Sequence, residues 1–321
     1  MAEQRGAGDV PPPIDISICV ATHNRADKLG PLIERTAGLT GARIELVIVD
    51  DGSNDGTRAV LEAAAVASAV PLTWDSIPHS GRGAALNRCF DLARGAFILL
   101  LDDDDLIEPG ALADILATWD SIPEAERDGF CGVCGLAARM DGTVIGDRFP
   151  VSPMDSDFFT ARIVNRIRGD KREVFRRAAL GDWRFPVIPG ELRVATNLLW
   201  FELASRCRTR FVNRVWLNKN YLPGGITANG LRNKMRSARL TAHYNATALR
   251  LFPSMPWWAK LRFRLDYARY AAHASLPEGE RLTVLGRGPI GRLSMLIGAA
   301  SARRDLRRLE RQPSSSKRLI G

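Results

Sequence analysis

The chain has 321 residues, 45% hydrophobic and 25% charged. These are the proportions of an ordinary globular protein, with enough chain for one large domain or two small ones. A formal net charge of +9 points to an anionic partner such as nucleotide, nucleic acid or a membrane surface, and no Arg-Gly-Gly run or aromatic–basic interleave singles out nucleic acid. No uninterrupted apolar run is long enough to span a bilayer. The five cysteines, an odd count without a signal peptide, argue for a reducing compartment.

Residues 1–13, ending in three prolines, read as a disordered lead-in. Ile14 to Val20 is apolar and β-branched and predicts the first strand; Thr22-His23-Asn24-Arg25 ends it, before a helix over Ala26 to Leu39. Arg43 to Val49 is a second buried strand, running into Asp50, Asp51 and the turn Gly52-Ser53-Asn54-Asp55-Gly56-Thr57. Asp55 or Thr57 can cap the alanine-rich helix that follows, as far as Ser68. A short strand over Pro71 to Ile77 and a helix over Arg82 to Arg94, closed by Gly95, lead to the stretch Ala96 to Asp105. Strands alternating with helices in this way predict an α/β fold with a mostly parallel central sheet flanked by helices.

Ile98 to Leu101 suits a strand buried on both faces, and four aspartates follow it. Burying four adjacent carboxylates without a counter-charge is too costly, so the strand must deliver them to a surface that receives a cation. In an extended chain alternate residues share a face, which pairs Asp102 with Asp104 and Asp103 with Asp105. Two such carboxylates at the carboxyl end of a strand make a hard-oxygen site for Mg2+ or Mn2+, completed by phosphate oxygens. A solvated acidic loop is the alternative.

Beyond Pro109 a helix runs to Trp119. Phe130 to Val144 reads as a hairpin turning at Asp141-Gly142; it contains Cys131-x-x-Cys134, which lacks the second pair that a zinc site needs. Residues 150 to 170 show no period. A helix over Asn197 to Arg206, a strand over Thr209 to Leu217 and a helix over Arg232 to Leu251 follow. Residues 256–273 mix Trp257, Trp258 and five further large apolar residues with Lys260, Arg262, Arg264 and Arg269, a composition suited to a helix at an anionic membrane interface or to a core helix with solvated arginines. The last twenty residues are basic and serine-rich and read as disordered.

Four motifs follow one another in order: Ala-Thr-His-Asn-Arg (21–25), Val-Asp-Asp-Gly-Ser-Asn-Asp-Gly-Thr (49–57), Gly-Arg-Gly-Ala-Ala-Leu-Asn (81–87) and Leu-Asp-Asp-Asp-Asp (101–105). Their order and spacing resemble family 2 of the inverting glycosyltransferases, which have the GT-A fold. Further stretches at 169–175, 185–191 and 221–229 resemble bacterial members that build surface polysaccharide. The resemblance implies a GT-A domain over 14–230, with a helical basic extension over 231–300 and a basic tail over 301–321. It also implies a nucleoside-diphosphate-sugar donor, expected to be a UDP-sugar, a saccharide or lipid-linked acceptor, and a cytoplasmic enzyme, peripheral on the inner face of the plasma membrane if residues 256–273 dock there.

Residue by residue, Asp104 matches the metal-ligand position of the family's D-x-D motif, and Asp102 would assist through ribose or metal-bound water. Asp50 and Asp51 stand where the family reads uracil, with Thr22 beside the base. Arg82 matches a nucleotide-contacting arginine; Asn24, Arg25 and Asp103 lie in the same nucleotide motifs, Asn24 with a cap as its alternative. Many members carry Glu-Asp before a Leu-Trp helix as the catalytic base. Aligning on Leu199-Trp200 puts Ala195 and Thr196 there; the bacterial subgroup it resembles has a Gly-Glu at this position, so the resemblance implies that Glu191, the acid of Pro-Gly-Glu, takes the role, with Asp182 and Glu202 as rivals. Two other functions compete. A sugar-phosphate nucleotidyltransferase would need a glycine-rich phosphate loop near the first strand, which Ala-Thr-His-Asn-Arg-Ala-Asp lacks. A non-catalytic nucleotide-sugar-binding subunit has the missing Glu-Asp pair in its favour.

Overall fold

The computed structural model describes residues 13–219 and 230–311; the rest of the lead-in, the 221–229 motif and the last ten residues lie outside them. One nine-stranded sheet organises the chain. Strands β1 (Ile16–Thr22), β2 (Ile44–Asp51), β3 (Leu72–Ile77) and β4 (Phe97–Leu100) form its parallel half, in the order β3-β2-β1-β4. Beside β4 lie β8 (Lys171–Arg176), β6 (Phe130–Arg139), β9 (Arg208–Lys219) and β5 (Asp105–Ile107), with β7 (Met154–Ser156) also on β9. This second half is mixed: β6 and β9 are parallel and the other pairings antiparallel.

The period-two alternation of the parallel strands feeds two cores. Ile16, Ile18 and Val20 of β1 and Leu46 and Ile48 of β2 pack with helices α1 (Ala26–Ala37), α2 (Thr57–Ala67) and, further along the sheet, α4 (Ala111–Asp120). Cys19, Val47 and Val49 face the opposite side, toward α3 (Arg82–Leu92). That second core continues through α6 (Asn197–Ala204) into the C-terminal helices α8 (Ala238–Leu251) and α9 (Trp257–His273): Phe201, Leu240, Ala248 and Phe263 belong to one apolar cluster. Short α5 (Arg177–Leu180) and α7 (Gly230–Arg236) precede these elements, while α10 (Glu278–Leu285) and α11 (Pro289–Glu310) close the chain.

At the sheet edge opposite the aspartates, Glu45 on β2 is fully buried and saturated with donors. It accepts from Ser17 Oγ at 2.6 Å, Arg94 N at 2.6 Å, Arg94 Nε at 2.8 Å and Gly95 N at 3.2 Å. Burial alone would raise its carboxyl pKa; the bonds from Ser17 and Arg94 outweigh it and hold the group below its ordinary value. Removing Glu45 leaves the buried Ser17 hydroxyl and Gly95 N–H short of their acceptor, while the exposed Arg94 guanidinium can turn to water. Glu45→Ala is therefore expected to cost about 3 kcal/mol, read as a lower denaturant midpoint at unchanged slope. Because the folded pKa is depressed, the wild-type advantage holds above the unfolded carboxylate pKa and fades as pH falls through the folded one.

Three expectations need correction, and one of two open readings is decided. The hairpin over 130–144 is a stub: the turn forms, with Gly142 N donating to Arg139 O at 2.9 Å, but only the single bridge Ala138–Val144 follows it, because β6 is already paired with β8 and β9. The helix over 232–251 is two, α7 and α8, broken at Ser237. The basic tail does not begin at 301: α11 continues to Glu310, anchored where Asp305 takes Arg269 at 2.5–2.6 Å and His273 at 2.9 Å. Finally, α9 is mainly a core helix. Phe263, Tyr267 and Tyr270 are buried, and Gly298 of α11 lies so close to Ala268 that an added Cβ would stand 2.5 Å from its backbone. Of the aromatic and leucine residues of 256–273, Trp257 and Leu261 remain exposed.

Candidate active site

Motifs from four segments meet at the carboxyl ends of the parallel strands, where an open α/β sheet leaves a crevice. Thr22 closes β1 directly opposite Asp50 in the β1–β2 register. Its hydroxyl is buried without a hydrogen-bond partner, an exception among buried polar groups. Asp50 is buried and accepts from Ser53 N at 3.1 Å, Ser53 Oγ and Ser76 Oγ at 3.0 Å. Asp51 is equally buried and accepts from Ser80 N at 2.7 Å and Gly81 N at 2.9 Å, so its carboxylate holds the loop before α3. Asn24 ties two loops together: its N–H donates to Ser53 Oγ at 2.7 Å and its Oδ1 accepts from Asn54 N at 2.8 Å.

Two histidines flank Asp51, and their pairing was missed in the sequence. His23 follows β1 and His79 follows β3, the two neighbours of β2, so the sheet order itself brings them together. Their rings stack at 4.0 Å, and each Nδ1 lies within hydrogen-bond reach of the Asp51 carbonyl, at 2.8 and 2.9 Å. With Asp51 they form a group of potential metal-ligating atoms within 4.8 Å of one another. A proton on each Nδ1 satisfies that carbonyl and leaves the His23 Nε2 lone pair to accept from Asn24 Nδ2 at 3.2 Å, an arrangement that holds the two rings as a flat stack beside Asp51.

The aspartate run does not extend as expected. β4 ends at Leu100, and Asp105 N donates back to Asp102 O at 3.1 Å, so the chain turns at once. The turn defeats the alternate-face pairing of Asp102 with Asp104. Asp102 and Asp105 converge instead, both on Lys219 Nζ, at 3.8 and 3.5 Å, and Asp170 joins them at 3.4 Å. The β5–β9 register places Lys219 directly opposite Asp105. Asp102 also bonds Arg82, Asp105 bonds Arg172 at 3.0 Å, and Asp103 pairs with Arg25 at 3.7 Å. Among the described residues Asp104 has no hydrogen bond or ion pair for its carboxylate.

Burial works to raise the Asp102 pKa, but the charges of Arg82, Arg172 and Lys219 outweigh it and hold the carboxyl far below the usual range. Asp105 goes the other way: burial pushes it up to about 6 against Arg172 and Lys219. Asp103 is raised, again by burial. The cluster thus offers one firmly ionised, clamped acid and one unpartnered acid two residues on.

Behind it lie two cavities sharing Arg82, Asp102, Thr196 and Asn197. One, of about 160 Å3, also carries Asp170, Lys171, Glu173 and Trp200. The other, of about 730 Å3, opens between the 192–197 segment and helices α7, α8 and α9. Gly81 fixes this junction: at φ +91° its Cα passes the backbone of Leu192, whose carbonyl an added Cβ would meet at 2.3 Å, so only glycine fits.

Glu191 is not brought to the cluster. Its two carboxylate oxygens accept from Arg239 N at 2.9 Å and Leu240 N at 2.8 Å, capping the first turn of α8. Asp182 is exposed, and Glu202 is engaged by Arg206 and Arg250 at 3.7 and 3.8 Å. The family position opposite Leu199-Trp200, Thr196, does line both cavities.

Comparison with known proteins agrees with this layout. The model of "Glycosyl transferase family 2" matches residues 17–180, more than half of the chain. Succinoglycan biosynthesis protein ExoO of Rhizobium meliloti is 33% identical over 107 residues, which are 33% of this chain and 30% of that protein; the chain therefore spans less than a third of the length of that relative. Among solved structures, residues 1–349 of S. aureus TarS in complex with UDP-GlcNAc superpose with a TM-score of 0.57 at 17% identity, covering 92% of each chain. Mannosyltransferase PcManGT from Pyrobaculum calidifontis, in complex with GDP-Man and Mn2+, gives 0.55 at 18% identity, over 94% of this chain and 88% of the other. These two likenesses concern the fold, a mixed α/β sheet flanked by helices. With the family match over the whole parallel half of the sheet, the chain belongs to glycosyl transferase family 2.

Proposed function

We propose that the protein transfers a sugar, with inversion, from a nucleoside-diphosphate-sugar, a UDP-sugar first among them, to a saccharide or lipid-linked acceptor in the synthesis of a bacterial surface polysaccharide. The observation that carries this reading is the turn at the carboxyl end of buried β4, which leaves Asp104 unpartnered two residues beyond an Asp102 clamped by Arg82 and Lys219. The relative named for succinoglycan biosynthesis supports the polysaccharide assignment, and the neighbour holding UDP-GlcNAc supports the donor class.

The residues fit Mg2+ or Mn2+. Asp104 offers free hard oxygens and Asp102 a second carboxylate, the one or two acids that such a cation takes when phosphates complete its shell. When bound, the ion neutralises charge that develops on the leaving diphosphate. Arg82, already on Asp102, adds a fixed positive charge on the same side. The orphaned Thr22 hydroxyl, Asp50 and the stacked His23 and His79 line the base end; Asn24, Asp51, Arg25 and Asp103 hold the loops in place around it. Inversion requires a base across the sugar from the phosphates. Glu191 is committed to α8, so we assign the base to Glu173, which is half-buried, whose carboxylate has no hydrogen bond or ion pair to a described residue, and which shares a cavity with Asp102 and Thr196. Assaying donor hydrolysis with UDP-, GDP- and dTDP-sugars and Mn2+ tests the whole reading: no turnover of any donor favours a non-catalytic binding subunit.

No helix of the described residues is long and apolar enough to cross a membrane. For peripheral attachment to an anionic bilayer we move the contact from α9 to the outward face of α11, where Ile290, Leu293, Leu296 and Ile297 are exposed and Arg303, Arg304, Arg307 and Arg308 continue the same side. An apolar row followed by arginines suits an interfacial helix on anionic lipid. Leu293→Asp with Leu296→Asp is expected to abolish flotation on phosphatidylglycerol liposomes; undiminished flotation removes α11 as the anchor.

A further inference from the structure

The 730 Å3 cavity carries more positive charge than its acids answer. Arg82, Arg193, Lys234 and Arg262 line it against Asp102 and Asp266. Arg82 is taken by Asp102, and Arg262 stands 3.9 Å from Asp266. Among the described residues Arg193 and Lys234 have no ion-pair partner. Arg193 is the more telling. Its Nη1 is shut off from solvent with no hydrogen-bond partner, and burial alone pulls its pKa down, with no acid pulling back. Shutting one nitrogen of a half-buried guanidinium away from water with no partner is costly. Yet its backbone is firmly fixed: Arg193 N donates to Ser237 Oγ at 3.1 Å, two residues from the Glu191 cap on α8. The residue's own N–H and the carboxylate two residues before it hold the loop in place under a cation that nothing in the described structure neutralises. Around it, Asn245, Thr241, Tyr244 and Tyr270 give the cavity the hydroxyl, amide and ring surfaces that pack against sugars.

We propose that this cavity is the acceptor subsite and that it takes an acceptor bearing an oxyanion, phosphate or carboxylate, gripped by Arg193 with Lys234. The inference rests on the glycosyltransferase reading above, and goes beyond it in naming the acceptor's charge. A lipid phosphate and an acidic sugar share this chemistry, and separate probes distinguish them.

The experiment is calorimetric titration of the full chain, saturated with UDP and Mn2+, with geranyl phosphate, methyl glucuronide, inorganic phosphate and neutral methyl glucoside. The same titrations follow on Arg193→Gln and Arg193→Lys. At least one anionic organic probe should bind the wild type more tightly than methyl glucoside does. Preference for geranyl phosphate identifies a lipid phosphate, and preference for the glucuronide an acidic saccharide. Arg193→Gln should weaken that probe at least tenfold, Arg193→Lys should recover part of the loss, and both should keep wild-type UDP affinity and thermal midpoint. The proposal is overturned if no anionic organic probe outbinds methyl glucoside, if Arg193→Gln leaves the affinity unchanged, or if UDP affinity falls with it, which would hand Arg193 to the donor. Wild-type protein that does not bind UDP at all overturns the underlying reading instead.

Discussion

Asp104→Asn should cut sugar transfer by about 10³-fold or more, the loss of roughly 4 kcal/mol of transition-state stabilisation, and remove Mn2+-dependent UDP binding. The effect is expected to be this large because Asp104 is the member of the run with no competing cation, whereas Asp102, Asp103 and Asp105 already have Arg82, Arg25, Arg172 or Lys219. The fold should survive, since the Asp104 side chain holds nothing among the described residues. Asn keeps one oxygen but not the charge, and a hard divalent cation needs the charge. Circular dichroism and the thermal midpoint should match wild type; UDP–Mn2+ affinity equal to wild type would refute the ligand assignment.

Glu173→Gln should lower kcat by about 10² to 10⁴-fold, the range of a positioned general base, while UDP–Mn2+ affinity stays unchanged. Glu191→Ala should behave oppositely. Losing a charged cap costs roughly 0.5–2 kcal/mol of stability, and loosening the first turn of α8, which borders the larger cavity, should raise the acceptor KM more than it lowers kcat. The two residues therefore separate in a pairing of turnover with denaturant midpoints. Near-normal kcat in Glu173→Gln with collapse in Glu191→Ala at unchanged stability would return the base to Glu191.

The parallel half of the sheet was legible because its signals are local. β1, β2 and β4 are mostly apolar and β-branched or leucine-rich, each motif sits within a few residues of a strand end, and the family motifs record those ends. Legibility failed where a partner is distant in sequence. Glu191 reads as a lone acid after a proline-glycine turn, and nothing nearby reveals that its carboxylate is spent on backbone N–H groups of Arg239 and Leu240. The aspartate faces were misread by one step: periodicity assumes an extended chain, and the strand stops at Leu100. His23 and His79 showed no shared spacing, yet the order β3-β2-β1 alone would have placed them on either side of Asp51. The arginine-rich end of α11 looked unfolded by composition, while Asp305, the acid that pins it to α9, counts for little in any compositional average.

The most direct measurement is calorimetric titration of the wild-type chain with UDP, GDP and dTDP, each with Mn2+ and with EDTA. UDP should bind with Mn2+, more tightly than GDP or dTDP, and EDTA should abolish that binding. Binding of no nucleotide, or UDP binding that EDTA leaves intact, would contradict a metal-assisted nucleotide-sugar site at Asp102 and Asp104.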